Sequence, residues 1–380
     1  MTTNIYFDYA ATSPADERVV TAMFPYFTQK FGNPSSRTHS FGWTGAQAVK
    51  TAREQLAEML GCETQELIFT SGATESINLA LKGVFEIYAP KGKHIITSQT
   101  EHRAVLGTCK ALEQKGARVT YLAVDRNGLI DLEVLKNSIN DQTILVCLQF
   151  ANNETGVLQP VKEIAEIVHE RNSIFMSDAA QAVGKIPVNV AETRIDLLCL
   201  SGHKFCGPKG AGALYVRRKN PRVKLQALID GGGQEEGLRS GTLNVPAIVG
   251  LGKAAEIAAA EMSRESERVS LLRGRLERAL TVNSGVQLNG SVNLRLPGIS
   301  NLLFSGFTAA ELISKLPGLA FSAGSACASA SGEPSHVLTA MGLNTDQARR
   351  SLRLSLGRFT TEAEIDEAVK RILALANKHI

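Results

Sequence analysis

Ile195-Asp-Leu-Leu-Cys-Leu-Ser-Gly-His-Lys204 is an apolar, strand-like run that ends abruptly in small and polar residues. Similar runs precede it, and amphipathic stretches such as Ala104–Lys115 and Val161–Arg171 separate them, with apolar residues three and four positions apart. Strands that alternate with helices predict a mostly parallel sheet covered by helices on both faces. Such sheets bind ligands just beyond the carboxyl ends of their strands, where we expect the functional residues. The other predicted strands are Glu66–Thr70, His94–Thr97, Val119–Leu122, Ile144–Leu148 and Ile174–Ser177.

The pattern changes near Val245, where a helical stretch rich in alanine and glutamate begins and continues through Leu280. Short strands and a last amphipathic helix follow, which predicts a smaller α+β unit. These elements are the strands Val292–Leu296, Ser300–Phe304 and Ser351–Leu356 and the helix Glu362–His379. We predict an α/β protein with a large domain over residues 15–260. A small α+β domain would contain residues 1–14 and 261–380, so the boundary lies inside the long helix.

The composition is that of a soluble globular protein of two domains, with 380 residues of which 44% are hydrophobic and 21% charged. The net charge of +4 is small and evenly spread, so we expect no direct binding of nucleic acid. Neither a secretory signal nor an apolar run of membrane-spanning length is visible, so we expect a cytoplasmic protein without membrane contact. The six cysteines have neither zinc-site spacing nor that of a disulfide framework, and we predict no metal.

Lys204 follows a predicted buried strand, where an ammonium group is costly to desolvate. An isolated lysine at such a place usually extends to solvent. Here the flanking Ser201-Gly-His203 and the turn Gly207-Pro-Lys-Gly-Ala-Gly212 predict a polar, tightly curved pocket rim. A lysine in that setting is suited to an imine bond with an aldehyde cofactor. Pyridoxal phosphate is such a cofactor, and it requires further protein groups that can be sought in the sequence.

The pyridine nitrogen of that cofactor needs a carboxylate partner to stay protonated. Asp178 follows the predicted strand Ile174–Ser177 at the correct edge of the sheet, although an aspartate there also commonly caps the next helix. Gln181 lies three residues further on and brings an amide within reach of the phenolic oxygen of the ring. The segment therefore supplies two of the required polar contacts.

The phosphate needs a helix N-terminus or a nest of backbone amides. Thr70-Ser-Gly-Ala-Thr-Glu75 offers a strand, a glycine turn and a helix start, although a plain Ser/Thr cap with Glu75 as its partner fits equally. His102 is placed either to stack on the ring and move protons or to be a surface histidine. Asn152-Asn-Glu-Thr-Gly156 is either a contact loop or only a turn. Each signal is weak alone, but five strand ends each supply a group that one cofactor requires.

Taken in order, these motifs resemble those of the NifS/IscS-type cysteine desulfurases, and the resemblance covers essentially the whole chain. The motifs are Tyr6–Thr12, Thr70–Ser76, Thr100–His102, Asn152–Gly156, Asp178–Gln181, Ser201–Lys204, Arg239–Thr242, Gly324–Cys327 and Arg353–Phe359. The resemblance implies fold type I of the pyridoxal-phosphate-dependent transferases and a homodimer. It also implies conversion of L-cysteine to L-alanine with transfer of the sulfur to the enzyme.

The same resemblance implies roles for individual residues. Lys204 would bond to pyridoxal phosphate, Asp178 would hold the pyridine nitrogen, and His102 would stack on the ring as acid and base. Arg353 would bind the substrate carboxylate, for which a planar guanidinium group is suited. Asn153 would contact both cofactor and substrate. The other implied cofactor contacts are Ala73, Thr74, Gln181, Ser201 and His203, with Thr242 contributed by the neighbouring subunit.

Cys327 lies at the centre of Ser322-Ala-Gly-Ser-Ala-Cys-Ala-Ser-Ala-Ser-Gly332, a stretch of small residues. A cysteine in such company is more often buried and inert. The near absence of anchoring side chains nevertheless predicts a mobile catalytic loop over about residues 322–335. By resemblance, this thiol is the nucleophile that takes the sulfur as a persulfide. An aminotransferase has no use for a nucleophile there, and a cofactor-free scaffold has no need of the whole set.

Two positions depart from the pattern of the family: Cys206, two residues after Lys204, and Ala323, where serine is frequent. The chain ends at Ile380 without the C-terminal tail of housekeeping IscS proteins, so delivery to an iron–sulfur scaffold stays open. We expect a separate sulfur-acceptor protein. Iron–sulfur assembly, tRNA thiolation and DNA phosphorothioation are the alternatives, and selenocysteine is an alternative substrate.

Overall fold

The computed structural model describes residues 4–282, 285–324 and 333–376 of the chain. Strands and helices alternate through its first half. The strands are β1 Ile5–Tyr6, β2 Leu67–Thr70, β3 His94–Ser98, β4 Arg118–Leu122, β5 Thr143–Cys147, β6 Ile174–Asp178, β7 Leu197–Ser201, β8 Gly212–Val216, β9 Val286–Leu288, β10 Ile299–Phe304, β11 Leu319–Ala320 and β12 Ser351–Ser355. The helices are α1 Glu17–Met23, α2 Pro25–Thr28, α3 Ser40–Leu60, α4 Ala73–Tyr88, α5 Arg103–Glu113, α6 Leu132–Ser138, α7 Val161–Glu170, α8 Val190–Thr193, α9 Val245–Thr281, α10 Ala309–Lys315, α11 His336–Ala340, α12 Thr345–Arg349 and α13 Glu362–Ala376.

The central sheet has seven strands in the order β2-β8-β7-β6-β5-β3-β4. Strands β4, β3, β5, β6 and β7 are parallel to their neighbours in that series, whereas β8 is antiparallel to both β2 and β7. All six strands predicted for this half are confirmed to within two residues. β8 is not predicted from the sequence, because the glycines before it favour a turn. Gly212 has to be a glycine, because an added Cβ would lie 2.6 Å from the Cα of Gly72.

Two smaller sheets involve the second half of the chain. β9, β10 and β12 form an antiparallel sheet, and β1 pairs with β11 in parallel. The predicted strand Val292–Leu296 is wrong, because that segment is a bend with a single bridge from Arg295 to Val157. Val292 and Leu294 are 63% and 48% exposed, so their apolar pattern does not correspond to a buried face.

The long helix α9 contributes to two hydrophobic cores. Its first half, from Val245 to Ala258, packs in the core on one face of the central sheet. Its second half, from Val269 to Leu280, packs with residues of β10 and β12. The change of core supports the predicted domain boundary near residue 260, which stays a prediction.

The N-terminal segment crosses from β1 to the carboxyl edge of the central sheet. The backbone N–H of Ala10 donates to the Ser355 hydroxyl at 2.9 Å. The backbone N–H of Ser13 donates to the carbonyl of His203, also at 2.9 Å. Residues 10–13 therefore lie directly beside the segment that carries Lys204.

Helices α3 and α9 pack closely at Gly252, where an added Cβ would lie 2.5 Å from the Cα of Ala52. We predict that Gly252→Val lowers the free energy of unfolding by about 1–3 kcal/mol, because the helices must separate to admit the side chain. Urea denaturation measures this. Gly107→Ala in α5 is the control, because a Cβ there meets nothing within 4 Å and alanine favours a helix by up to about 1 kcal/mol. A Val variant as stable as the wild type would contradict the close contact.

Candidate active site

The ends of five strands, β2, β3, β5, β6 and β7, surround one cavity of about 580 Å³. Side chains that are distant in sequence meet there, because these strands end at the same edge of the sheet. The predicted residues that line the cavity are Ala73, Thr74, His102, Asn153, Asp178, Gln181, Ser201, His203, Lys204 and Arg353. Thr242 is exposed and does not line the cavity, and Cys327 lies outside the described residues.

Lys204 is the last residue of a short 3₁₀ turn that directly follows β7. Its Nζ donates to the carbonyl oxygens of Ala10 at 2.7 Å and Ala11 at 2.8 Å. The lysine therefore does not extend to bulk solvent, because the N-terminal segment holds its amine at the cavity wall.

Asp178 is the last residue of β6, and it is only 6% exposed. Its Oδ1 accepts the backbone N–H of Ala180 at 3.0 Å and the thiol of Cys199 at 3.3 Å. The carboxylate thus supports the turn after the strand and also lines the cavity. The interpretation of Asp178 as a helix cap is wrong, because a turn follows β6 and the next helix begins only at Val190, capped by Asn189.

His102 caps helix α5 with its ring, because Nδ1 accepts the backbone N–H of Ala104 at 3.1 Å. This contact requires a lone pair on Nδ1, so the neutral ring carries its proton on Nε2. Burial lowers the pKa of His102. The charge of Asp178 opposes that effect, and Lys204 and His336 reinforce it. The imidazole is therefore neutral near pH 7, with an N–H at Nε2.

Helix α4 begins at the cavity wall and is 16 residues long. Gly72 precedes it with a φ of +152°, and no side chain caps its first turn. Glu75 accepts the backbone N–H of Ser71 at 2.8 Å and the Nε of Arg239 at 2.9 Å. The Ser/Thr cap considered as an alternative is therefore wrong. The first amides of a helix without a cap are suited to binding an anion.

His203 lines the same cavity as this helix start, and its Nδ1 is 3.0 Å from the hydroxyl of Thr12. Burial, and to a lesser extent the charges of Lys204, Lys209 and Lys185, lower the pKa of His203 to about 4. These three lysines bring positive charge to the cavity floor near His203. Such a field fits a phosphate group.

Arg353 on β12 is buried, with 1% of its surface exposed. Its guanidinium donates to the carbonyl of Asn153 at 2.9 Å and to the carboxylate of Asp8 at 2.7 Å. Its Nε has no hydrogen-bond partner among the described residues. A fixed guanidinium group at the wall of a cavity is suited to binding a carboxylate.

Gly324 and Ser335, on the two sides of residues 325–332 that the structure does not describe, both lie beside Glu154. Gly324 has a φ of +139°, and a Cβ there would lie 3.3 Å from a carboxylate oxygen of Glu154. The hydroxyl of Ser335 donates to the same oxygen of Glu154. Both ends therefore lie next to Asn153, which lines the cavity.

Several cavity residues for which the sequence predicts no role are also brought to the site. They are Ala10, Ala11, Thr12, Gln149 and Lys209. Gln149 follows β5 by two residues, and Lys209 lies in the glycine turn 207–212. Their positions just after predicted strands could therefore have pointed to both residues. The two alanines act through their backbone carbonyls, for which no side-chain pattern exists.

Comparison with known proteins identifies the family. Residues 5–368 match the model of the aminotransferase class-V family. A cysteine desulfurase IscS of Rickettsia bellii is 54% identical over 98% of this chain and 91% of its own length. The chain belongs to the cysteine desulfurases. Two solved structures are similar to this cysteine desulfurase. A NifS-like protein has a TM-score of 0.92 at 38% identity, covering 99% of this chain and 100% of its own. SspA in complex with cysteine has a TM-score of 0.84 at 39% identity, covering 94% and 100%.

These relatives confirm the predicted fold type I architecture, with its mostly parallel sheet covered by helices. Within the three described ranges of this desulfurase, no helix is both long and apolar enough to span a bilayer. The same ranges contain no group of three or more side chains that could hold a metal ion.

Glu101, directly before His102, is completely buried and accepts the Ser98 hydroxyl at 2.8 Å and the Gln149 N–H at 3.0 Å. Burial raises its pKa to about 8, and the charge of Asp178 acts in the same direction. The folded desulfurase therefore holds this proton up to pH 8, whereas the unfolded chain loses it near pH ~4.3. Glu101 consequently makes the free energy of unfolding fall as the pH rises between these values.

We predict that Glu101→Gln becomes more stable relative to the wild type as the pH rises from about 5 to 8, by a few kcal/mol. The amide still accepts both hydrogen bonds but cannot ionise. Urea denaturation at both pH values measures the difference. Glu166→Gln, at an exposed position of α7, is the control and should show no such trend. A stability difference independent of pH would mean that Glu101 is ionised in the fold.

Proposed function

We propose that this cysteine desulfurase binds pyridoxal phosphate at the carboxyl edge of the central sheet and converts L-cysteine to L-alanine. The sulfur would pass to Cys327. The observation that carries the proposal is the convergence of Lys204, Asp178, His102 and Arg353 on one cavity, although they lie far apart in the chain. The similar SspA structure, which is described as a complex with cysteine, supports the choice of substrate.

The cavity fits this cofactor group by group. The uncapped first turn of α4 and the positive floor near His203 suit the phosphate. The buried carboxylate of Asp178 suits the pyridine nitrogen, and the amine of Lys204 suits the aldehyde. When bound, pyridoxal phosphate supplies an electron sink for negative charge at the α-carbon of an amino-acid substrate.

Arg353 binds the carboxylate of the substrate. Its contacts with Asn153 and Asp8 fix the guanidinium before substrate arrives, so little side-chain freedom is lost on binding. Arg353 thereby orients the amino acid, whose amino group then faces Lys204. Orientation of this kind is a large part of the catalytic effect in a two-reactant step.

His102 and Lys204 move the protons. Lys204, whose Nζ is held at the cavity wall by the carbonyls of Ala10 and Ala11, would move the proton at the α-carbon of the substrate. His102 would pass its Nε2 proton to the substrate-derived carbon while the proton that the Cys327 thiol loses returns to the ring, so that the imidazole ends neutral.

Cys327 takes the sulfur. Its thiolate attacks the substrate sulfur, so that a sulfur–sulfur bond forms while the Cβ–S bond breaks. The electron pair of the broken bond stays on Cβ, which takes a proton and becomes the methyl group of alanine. The products are alanine and a cysteine persulfide, and no external oxidant or reductant is needed. The position of Gly324 and Ser335 beside Glu154 supports delivery of the thiol to this cavity.

A homodimer would complete the site. Thr242, for which the family resemblance implies a cofactor contact, is exposed and does not line the cavity of its own chain. Phe24, Phe27, Phe31 and Trp43 are each more than half exposed, although large apolar side chains are normally covered. A second copy that covers them would also place its Thr242 at the cavity of the first.

The persulfide would then pass to an acceptor protein. Iron–sulfur cluster assembly, tRNA thiolation and DNA phosphorothioation remain the candidate pathways, and the predicted cytoplasmic location suits all three. Alanine release in the presence of each purified acceptor class distinguishes them, because the true acceptor regenerates the free thiol and sustains turnover.

We predict that Lys204→Ala abolishes the visible absorbance of the cofactor-loaded protein, because the bond between lysine and cofactor cannot form. Borohydride reduction followed by mass spectrometry should find the cofactor on Lys204 in the wild type and on no residue in the variant. Lys162→Met, at an exposed position of α7, is the control and should retain the absorbance. Trapping of the cofactor on another lysine of the Ala variant would disprove the assignment.

We predict that Cys327→Ser still binds the cofactor and L-cysteine but loses alanine production by about a hundredfold or more, because a hydroxyl is a poor nucleophile toward sulfur. Mass spectrometry should find no persulfide on the variant. Cys62→Ser is the control. Burial raises the pKa of the Cys62 thiol to about 12, so it is not a reactive thiolate near pH 7. Full alanine production by the Cys327 variant would make the enzyme a simple lyase.

A further inference from the structure

Lys185 is a lysine beside the candidate site that the proposed reaction does not use. It is largely covered by protein, and its Nζ lies 2.7 Å from Oε1 of Gln181. Burial lowers its pKa to about 7, and the neighbouring charges of Lys204 and Arg353 act in the same direction. A third cation is costly beside these two, so its position calls for an explanation.

The backbone around Lys185 is fixed on two sides. Gly184 has a φ of +75°, and an added Cβ there would lie 2.5 Å from the Cβ of Phe205, so only glycine fits. The hydroxyl of Ser266 on α9 donates to the carbonyl of Lys185. The starting point of the lysine side chain is therefore set by the turn and by the long helix.

Gln181 is 5% exposed, and both ends of its amide have partners. Oε1 accepts from Lys185, while Nε2 donates to the carbonyl of Ala10 at 2.8 Å. The oxygen and nitrogen of an amide are nearly equal in shape, so hydrogen-bond partners decide which way it points. Rotation by half a turn would place the oxygen against the Ala10 carbonyl and the NH₂ group against the Lys185 ammonium. Both partners select the same orientation.

We propose that Lys185 is a positioning residue, which holds the Gln181 amide with its NH₂ group toward the phenolic oxygen of bound pyridoxal phosphate. The Ala10 carbonyl takes one of the two N–H groups, and the second remains for the cofactor. This inference rests on the proposed function, because it needs the cofactor in this cavity. It does not depend on the charge of Lys185, since the neutral amine also has N–H groups to donate.

A donor at the phenolic oxygen has a measurable consequence. It stabilises negative charge on that oxygen and so lowers the proton affinity of the neighbouring nitrogen, which Lys204 contributes. Loss of the donor should therefore raise the pH midpoint of the change in visible absorbance of the loaded enzyme. A purely structural role for Lys185 would change stability but not this midpoint.

The experiment is a double-mutant cycle on the cofactor-loaded protein, with Lys185→Met, Gln181→Ala and both together. Each single variant should raise the pH midpoint by about half a unit or more, and the double variant no more than Gln181→Ala alone. Lys185→Arg should restore most of the wild-type midpoint, because it keeps a donor. Lys162→Met controls for loss of one positive charge, and thermal unfolding of each variant controls for stability. If the Met variant does not fold, Lys185→Leu replaces it, with the same expected rise, because leucine also lacks a donor.

Two outcomes would overturn the inference and leave the proposed function intact. In the first, Gln181→Ala raises the midpoint while the Lys185 variant does not. In the second, loss of Lys185 raises the midpoint equally in the Gln181→Ala background, which would mean that the lysine acts through its own charge. Failure of the wild type to bind pyridoxal phosphate with a visible band would instead overturn the proposed function itself.

Discussion

The common edge at which parallel strands end is the constraint on which the rest of this structure depends. Strands β6 and β7 pair so that Asp178 lies opposite Cys199, and the N–H of Phe150 binds the carbonyl of Asp178. A slip by one residue would turn the Asp178 side chain to the other face of the sheet. The strands on both sides, β5 and β7, are fully buried, so such a slip would also disturb the packing around apolar residues. Backbone register thus controls the chemistry of the cavity.

The second requirement is that the two ends of the chain meet at this edge. The carbonyl of Ala10 accepts from both Lys204 and Gln181, and Asp8 pairs with Arg353 at 2.7 Å. The pairing of β1 with β11 brings the N-terminal segment to this place. Neither half of the chain can assemble the site without the other. Formation of the cavity is therefore coupled to docking of the smaller sheets on the central sheet.

The charges of the cavity complement an anionic ligand. Several cations lie at or near its walls, and besides burial their charges lower the pKa values of His203 and Lys185. Repulsion among such groups destabilises the protein without ligand, and a bound anion relieves it. Binding of a phosphate or a carboxylate should thus stabilise the fold as well as serve the reaction.

The amino-acid sequence by itself determined the alternation of strands and helices, because apolar periodicity and glycine turns are local properties. It also determined the strand-end residues Asp178 and Lys204, since a polar residue directly after a buried run has few structural reasons to be there. The sequence failed for β8 and for the bend at Val292–Leu296, where the glycine and apolar patterns fit either a turn or a strand. Close contact with Gly72 favours the strand β8, whereas exposure to solvent favours the bend at Val292–Leu296.

Only the tertiary structure decided how the polar groups of the site are paired. The absence of a side-chain cap on α4, the proton on Nε2 of His102 and the orientation of the Gln181 amide all depend on partners distant in sequence. The roles of the backbone carbonyls of Ala10 and Ala11 cannot be predicted from the pattern of side chains. Hydrogen bonds require specific distances between particular atoms, and packing of the whole chain sets those distances.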